Sequence, residues 1–275
     1  MPLCTIHLLS LKPSPDPLPT FLSTLSSTSL KPLVISRVIR WIILPTSLST
    51  DTLLAQNIHW DLLLILLSTS PLPSSLQSQI AHQWSVTAGI PSRLLADFHA
   101  KNKNLLHPNP SDVPPPSGSL TNPQTADSTQ HLELSPELQS WIRTFTSSGS
   151  AAGKGAVSML NLLAFKENMK PSYLQYGAAF AKSIGSKRGG AAKLVGTVVG
   201  VVGKEKTKKE GEGEWDEIAL AHYPSILHFA DMLAGEDYQR VNKEFRVPAL
   251  RDTFILCTSE IAVEEVVGMK GGSKL

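Results

Sequence analysis

The sequence predicts an α+β protein built from two β-α-β-β-α-β modules in tandem, whose sheets together form a barrel. Two features of the chain support this prediction. Residues 157–263 run in the order strand, helix, strand, strand, helix, strand, which is the split β-α-β arrangement. The first hundred residues carry fragments of the same pattern. A stretch rich in proline, serine and threonine at 108–136 separates the two halves.

The second module has the clearer pattern of strands and helices. Strands are predicted where apolar and β-branched residues run together, and helices where apolar residues recur three or four positions apart. The predicted strands are 157–165, 192–202, 215–223 and 252–263, and one predicted helix is 171–184. A second helix begins after its N-cap Ser225 and carries apolar residues over 227–233, and a further helical segment follows Gly235 and extends to Phe245. A charged loop over 204–214 joins the two middle strands.

The first module reads as a degraded copy of the second. His7 and the residues up to Lys12 align with Asn161 to Lys166, and Trp60 aligns with Trp215. The other predicted elements are a helix at 17–29, a strand at 33–44, and helices at 74–89 and 92–105. A clear fourth strand is missing, and 131–134 is the one candidate for a short replacement.

These patterns predict four segments in a chain of 275 residues. They are a degenerate module at 1–107, a linker at 108–136, a connecting helix at 137–150 with Ser135 as its N-cap, and a second module at 151–275. The linker should be exposed because it has too little apolar surface to offset its ordering entropy. Two such sheets can bury their open faces against each other, within one chain or across a homodimer.

Composition excludes several classes of protein. The net charge is +2, from 25 basic and 23 acidic residues, which argues against nucleic-acid binding driven by charge. The most apolar run, 62–67, is far too short to cross a bilayer, and the first residues lack the basic start of a signal peptide. We therefore expect a cytoplasmic protein without membrane partners. Cys4 and Cys257 are expected to be buried free thiols, and no metal-type spacing is present.

One segment of the second module resembles a known family. Residues 215–225 (WDEIALAHYPS), then 229–233 (FADML), Tyr238-Gln239 and Arg246 are similar to the DUF1330 family. That family belongs to the dimeric α+β barrel superfamily, whose unit is ferredoxin-like. The resemblance covers residues 157–262 and implies the fold, whereas it implies activity only weakly. The first module lacks most of the motif, so any site of this kind should be confined to the second.

Candidate site residues lie where strands end and helices begin. His222 and Tyr223 end the third strand, and a histidine that titrates near neutrality can act as an acid or base. We expect these two to be catalytic if the protein is an enzyme. The alternative for His222 is a place on the rim, and for Tyr223 it is core packing.

Six further residues are predicted to contact a ligand: Asn161, Ser225, His228, Tyr238, Arg246 and Arg251. The two arginines flank the last strand and could hold a carboxylate between them. Surface ion pairs are the alternative for both. Asn161 is a polar residue in an apolar strand, so it either bonds a neighbouring element or forms the floor of a pocket.

Three functions remain open from the sequence. The first is a small-molecule-binding barrel protein, which as an enzyme would be an isomerase, lyase or cyclase that needs no cofactor. The second is a monooxygenase-like enzyme that uses Asn161, Trp215 and His228, as some members of the superfamily do. The third is a non-catalytic binding or structural module. No dinucleotide fingerprint, nucleophile elbow or metal-ligand constellation is present.

Overall fold

The computed structural model describes residues 1–201, 204–205 and 215–271. Its first half contains β1 (Leu3–Leu11), α1 (Pro17–Ser26), β2 (Pro32–Ile43), α2 (Thr50–Leu53), β3 (Leu62–Leu66), α3 (Ser74–Gln77), β4 (Ile80–Gly89), α4 (Ser92–Leu95) and α5 (Phe98–Leu106). Its second half contains α6 (Pro136–Ser147), α7 (Ala151–Lys154), β5 (Val157–Phe165), α8 (Lys170–Ala179), β6 (Ala191–Val201), β7 (Lys204–Glu205), β8 (Glu217–Tyr223), α9 (Ile226–Ala234), α10 (Glu236–Val241), β9 (Leu250–Ser259) and α11 (Ile261–Gly271).

Eight of the strands form a closed antiparallel ring. The first half has the order β4-β1-β3-β2 and the second half the order β9-β5-β8-β6, which is the same ferredoxin-like order in both modules. The pairs β2–β9 and β4–β6 join the two sheets. The predicted α+β barrel is therefore confirmed, and it closes within a single chain.

The register gives matching places to the residues aligned in the sequence. His7 of β1 pairs with the third residue of β3, and Asn161 of β5 pairs with the third residue of β8. Both side chains are buried, at 4% and 9% exposure. Trp60 and Trp215 each precede the third strand of their module by two residues, and both lie in the barrel core.

The barrel interior is packed with side chains. Phe254 lies at its centre, with edge-on contacts to Trp41 at 5.4 Å, Trp84 at 5.8 Å and Trp215 at 5.4 Å between ring centroids. These rings join an aliphatic cluster contributed by strands of both modules. The helices cover the outer faces of the two sheets and form a separate apolar layer with each. A ligand site in this fold is therefore to be sought at the barrel ends or between sheet and helices.

One strand was missed by the sequence analysis. Residues 74–89 were predicted to be helical, whereas only Ser74–Gln77 form a short helix and Ile80–Gly89 form β4. Trp84, Val86 and Ala88 alternate toward the barrel core, because β4 pairs with β1 on one side and β6 on the other. The replacement strand at 131–134 does not form, and Leu134 makes a single bridge to Thr125.

The segment 108–136, called the strap below, is packed against the second module. Within it Leu132, Leu134 and Ser135 are at most 3% exposed, so the expected open linker is wrong for this end. Ser117 donates both its amide and its hydroxyl to the carboxylate of Asp231 on α9. Hydrogen bonds and a few apolar anchors order the strap despite its composition. The segment boundaries themselves stay a prediction.

Two further expectations concern the same half of the chain. Ser135 caps α6 as predicted, accepting a 3.2 Å hydrogen bond from the amide of Leu138. The charged loop predicted at 204–214 lies outside the described residues, apart from positions 204 and 205. Among the helices that the structure describes, none is long and apolar enough to cross a membrane.

Candidate functional site

The helix-covered face of the second module contains a cluster of tyrosines around one arginine. The sequence has four tyrosines, and all of them belong to this cluster. Tyr173 and Tyr176 are one turn apart on α8, Tyr223 ends β8, and Tyr238 lies on α10. Three elements distant in sequence thus bring the phenols together.

Ring contacts make the cluster continuous. Tyr176 lies 5.4 Å from Tyr173 and 6.3 Å from Tyr238 between ring centroids, and its hydroxyl is 3.3 Å from that of Tyr238. Tyr223 packs on Phe229 at 5.1 Å, and its hydroxyl donates to the Met232 sulfur at 3.5 Å. Such edge-on and tilted rings pack favourably while they orient their hydroxyl groups.

Arg246 supplies the positive charge of the cluster. It ends a π-helical turn, Asn242–Arg246, that follows α10, and it is only 2% exposed. Its positive charge acts on Tyr173, whereas its Nη2 is buried without a hydrogen-bond partner. Among the ion pairs of the described residues, none involves Arg246. A buried guanidinium without a carboxylate is unusual, because its desolvation is not compensated.

Burial sets the protonation of the phenols. It raises the pKa of Tyr173, Tyr176, Tyr223 and Tyr238 above the usual value, and the charge of Arg246 offsets only part of this effect. At neutral pH all four therefore keep their protons. The cluster consequently presents hydrogen-bond donors and a fixed positive charge, which is an environment suited to a bound anion.

Arg246 also borders an open cleft of about 330 Å³ at the start of β9. Three basic residues line this cleft, namely Lys166, Arg246 and Arg251. Arg251 thus shares a cleft with Arg246, as the carboxylate hypothesis requires. We call the cleft and the tyrosine cluster behind Arg246 the Arg246 site.

Asp252 is the acidic residue in the cleft wall, and its charge is already engaged. Its carboxylate accepts hydrogen bonds of 2.7–3.1 Å from the amides and hydroxyls of Thr46 and Ser47 and from the amide of Leu48. Burial opposes its ionisation, but these bonds outweigh burial and lower the pKa of Asp252. The carboxylate of Asp252 therefore lies against the segment 46–48 through these hydrogen bonds.

The predicted residues do not all converge. Asn161 and Tyr223 share the helix-covered face, and Asn161 Nδ2 donates to the carbonyl of Met159 at 2.9 Å. His222 precedes Tyr223 on the same strand, so its side chain points to the opposite face, toward the barrel interior. Burial, then the neighbouring Lys193 and His228, lower the pKa of His222 to about 3. His222 is therefore neutral at ordinary pH and lies away from the tyrosines.

Ser225 and His228 are hydrogen-bonded to each other, and His228 contacts the strap rather than the Arg246 site. Ser225 is the N-cap of α9, yet its hydroxyl is 2.8 Å from Nδ1 of His228 instead of capping a backbone amide. The other ring nitrogen, Nε2, lies 3.0 Å from the carbonyl oxygen of Pro114. Both nitrogens are thus satisfied when Nε2 carries the proton. This pairing gives His228 a role in anchoring the strap.

The residues of the monooxygenase hypothesis lie apart. Trp215 points into the barrel against Phe254, and its indole donates to the hydroxyl of Ser49 at 3.1 Å. Asn161 lies on the outer side of the sheet, and the ring of His228 is occupied by the strap. The structure therefore does not assemble these three side chains into one site.

Tyr173, Tyr176, Lys170 and Glu217 were not among the predicted site residues. Lys170 and Glu217 form a 2.7 Å ion pair, and the negative charge of Glu217 acts on Tyr173. One compositional signal was available: all four tyrosines of the chain lie beyond position 172. Metal ligation has no candidate, since the described residues contain no group of three histidine, cysteine or acidic side chains that could hold an ion.

Comparisons with known proteins give fold-level likenesses only. No family model matches, and neither does any functionally described protein. A protein of unknown function from Rhodopseudomonas palustris has 20% identity and a TM-score of 0.34, over 46% of this chain and 94% of its own. Its methylated form has 19% identity and a TM-score of 0.36, over 47% and 93%. A mutant chlorite dismutase from Candidatus Nitrospira defluvii has 10% identity and a TM-score of 0.40, over 97% and 94%.

Proposed function

We propose that the second module binds a small organic anion in the Arg246 site, with a carboxylate facing Arg246 and Arg251. The observation that carries this proposal is the buried guanidinium of Arg246, whose Nη2 lacks a partner and which has no ion pair among the described residues. A carboxylate ligand would accept a hydrogen bond from Nη2 and would compensate the charge of the guanidinium. Arg251 and Lys166 on the same cleft would add attraction from its open side.

As an enzyme, the protein would be an isomerase, lyase or cyclase that needs no cofactor. Phenols that keep their protons can donate a hydrogen bond to an oxygen on which negative charge develops, as in an enolate. Tyr176 and Tyr238 share one contact between their hydroxyls, so one of the two protons remains free for a ligand oxygen. Two π-helical turns, Phe180–Ile184 and Asn242–Arg246, flank these tyrosines, and such turns are frequent at functional sites.

A non-catalytic binding protein is the second candidate. It is favoured by the position of His222, which lies across the sheet from the tyrosines. Protonated phenols are poor bases, and Glu217 is engaged by Lys170. The two candidates share the ligand and the site, and they differ in whether bound ligand is turned over.

Replacement of Arg246 tests the site. In Arg246→Met the uncompensated buried charge is removed, so Tm should stay the same or rise in the absence of ligand. Affinity for a carboxylate should fall at least about tenfold, because a hydrogen bond to a charged group is worth roughly 1.5–3 kcal/mol. Isothermal titration with benzoate and with acetate, together with a melting curve, measures both quantities.

Arg240→Met is the matched control, because Arg240 is an exposed residue of α10, the helix just before the π-helical turn that ends at Arg246. It should change neither Tm nor carboxylate binding. A large fall in the Tm of Arg246→Met would instead assign Arg246 a structural role and overturn the proposal. Equal carboxylate affinity in both variants and the wild type would also overturn it.

A further inference from the structure

A second cluster of polar side chains lies at one end of the barrel, away from the Arg246 site. Lys193 of β6 has a fully buried side chain and forms an ion pair with Glu260, the residue after β9. Glu260 Oε2 accepts a 2.7 Å hydrogen bond from Nδ2 of Asn102 on α5. Both modules thus contribute to the cluster, since α5 belongs to the first and β6 to the second.

A small cavity of about 110 Å³ adjoins this cluster. Lys193 and Asn102 line it on the inner side, and Leu94 and Phe98 supply much of its apolar wall. Arg93 and Lys101, which are exposed residues, complete its rim. The cavity is therefore largely apolar within, with the buried residue Lys193 in its wall and two basic residues at its opening.

Two buried polar atoms beside the cluster have no hydrogen-bond partner. Oδ1 of Asn102 is one of them, and Asn102 is only 8% exposed. Nδ1 of His222 is the other, and His222 is 1% exposed and lies close enough to Lys193 to be acted on by its charge. An ion pair that served the fold alone would leave the orphaned Asn102 oxygen and the adjoining cavity unexplained. Both are accounted for by a polar guest.

We propose that Lys193 is the amine of a second site, where it condenses with the carbonyl group of a small 2-oxo or aldehyde acid. Burial lowers the pKa of Lys193, and Glu260 only partly counteracts this effect. A larger share of the amine is therefore neutral and nucleophilic than on the surface, as for other desolvated lysines. The proposal uses different residues from the Arg246 site and does not depend on it.

Lys193 and Glu260 supply the nucleophile and the proton transfers that imine formation needs. Glu260 takes a proton from the Lys193 ammonium, and the neutral Nζ attacks the carbonyl carbon. A carbon–nitrogen bond forms while the carbonyl oxygen gains the second amine proton. Glu260 then returns its proton to the resulting hydroxyl, which leaves as water. The products are a protonated imine on Lys193, one water molecule and the Glu260 carboxylate.

Size and charge define the substrate class. A volume of about 110 Å³ is about four times the share of one water molecule in the liquid, which favours a guest of a few carbon atoms. Arg93 and Lys101 at the opening favour an anionic group at the outer end of the guest. Pyruvate and glyoxylate meet both conditions, whereas acetone meets only the first.

Reductive trapping tests the proposal on the full chain. The protein is incubated with pyruvate or glyoxylate and sodium cyanoborohydride, and the modified peptides are mapped by mass spectrometry. Lys193 should be modified at least about tenfold faster than Lys103, a solvent-exposed residue of α5, because a desolvated amine is neutral and nucleophilic more often. Arg93→Ala should slow the modification by pyruvate and leave the slower modification by acetone unchanged. Arg246→Met should not alter either rate, which separates this site from the first.

The wild-type peptide map decides the outcome even where a Lys193 variant fails to fold. Labelling that follows solvent exposure and leaves Lys193 unmodified would overturn the proposal. Equal rates for pyruvate and acetone would overturn the assignment of an anionic substrate. Where Lys193→Met folds, as judged by its melting curve, it should lose the fast modification that Lys103→Met retains.

Discussion

The hydroxyl groups of Tyr176 and Tyr238 lie 3.3 Å apart and join α8 to α10 over the sheet of the second module. A hydrogen bond between the two hydroxyl groups uses only one of their two protons. The other proton is therefore available for a hydrogen bond outside the pair. Tyr173 and Tyr223 complete the same buried cluster, and Arg246 is its cation. Since these are the four tyrosines of the chain, the optical properties of tyrosine report on this site alone.

The tyrosines should resist alkaline titration. Burial raises the pKa of all four phenols above the ordinary value of 10.0, so phenolate absorbance should appear at higher pH in the folded protein than in a denatured sample. The unfolded chain releases these protons first, so stability is retained below pH 10 and falls as the pH rises beyond it. Spectrophotometric titration beside a denatured sample measures both effects. Two or more phenols ionising near pH 10 in the folded protein would contradict the buried cluster.

Acid should weaken the fold through buried histidines. Burial lowers the pKa of His222 to about 3 and that of His7 to about 4, from 6.5. The unfolded chain takes up these protons first, so their stabilising effect is full above pH 6.5 and is lost as the pH falls toward 4. Each histidine contributes a slope of up to about 1.4 kcal/mol per pH unit. His222→Gln should reduce the slope measured by urea unfolding between pH 6.5 and 4.5, and an unchanged slope would contradict the burial of a neutral His222.

The strap should be the first segment that a protease cuts, and Asp231 should control the rate. Its carboxylate accepts from the Ser117 amide at 2.8 Å and from Arg188 Nε at 3.1 Å. Asp231→Asn weakens both bonds, so cleavage within 108–136 should accelerate at least about tenfold, because each hydrogen bond to a charged group is worth roughly 1.5–3 kcal/mol. Asp127→Asn, on the exposed part of the strap, is the control.

Timed proteolysis with mass mapping of the fragments gives the order of cleavage. Earlier cutting within 157–202 would contradict the segment boundaries proposed from the sequence. An Asp231→Asn rate equal to that of the control would mean that the apolar anchors Leu132 and Leu134 hold the strap by themselves.

Strands with a strong local sequence pattern were predicted close to their observed bounds. β5 was predicted with its observed bounds, and β2 and β6 were predicted to within one residue at each end. β4 was missed because its outer residues are polar and its inner ones are buried in a barrel core that strands of both modules build. Pairing between strands of different modules leaves no local sequence pattern. The residues of β4 were therefore predicted to be helical.

Part of the site could also be predicted from the sequence. The sequence predicted that Arg246 would be paired, exposed or awaiting an anionic ligand, and the structure shows it buried, with Nη2 lacking a hydrogen-bond partner. The opposite orientations of His222 and Tyr223 follow from strand geometry and could have been predicted as well. The convergence of Tyr173, Tyr176 and Tyr238 could not, because it depends on how α8 and α10 pack and on the π-helical turn that positions Arg246.

The pairing of β4 with β6, which closes the barrel, should be destabilised by a side chain at Gly196 of β6. A Cβ at this position would lie 2.8 Å from the carbonyl oxygen of Gly89 and would overlap the end of the Ile90 side chain. The Ile90 side chain can turn aside, but the backbone of Gly89 cannot move without opening the β4–β6 pairing. Gly196→Ala should therefore lower the free energy of unfolding by about 1–3 kcal/mol, as substitutions at other overpacked core sites do. Amide exchange should accelerate at Val86 and Ala88 before it does in β5.

Gly177→Ala is the control, since its Cβ would meet nothing within 4 Å and alanine in a helix is more stable than glycine by about 0.5–1 kcal/mol. Equal stability of the two variants in urea, with unchanged exchange in β4, would show that the ring is not closed by this pair of strands.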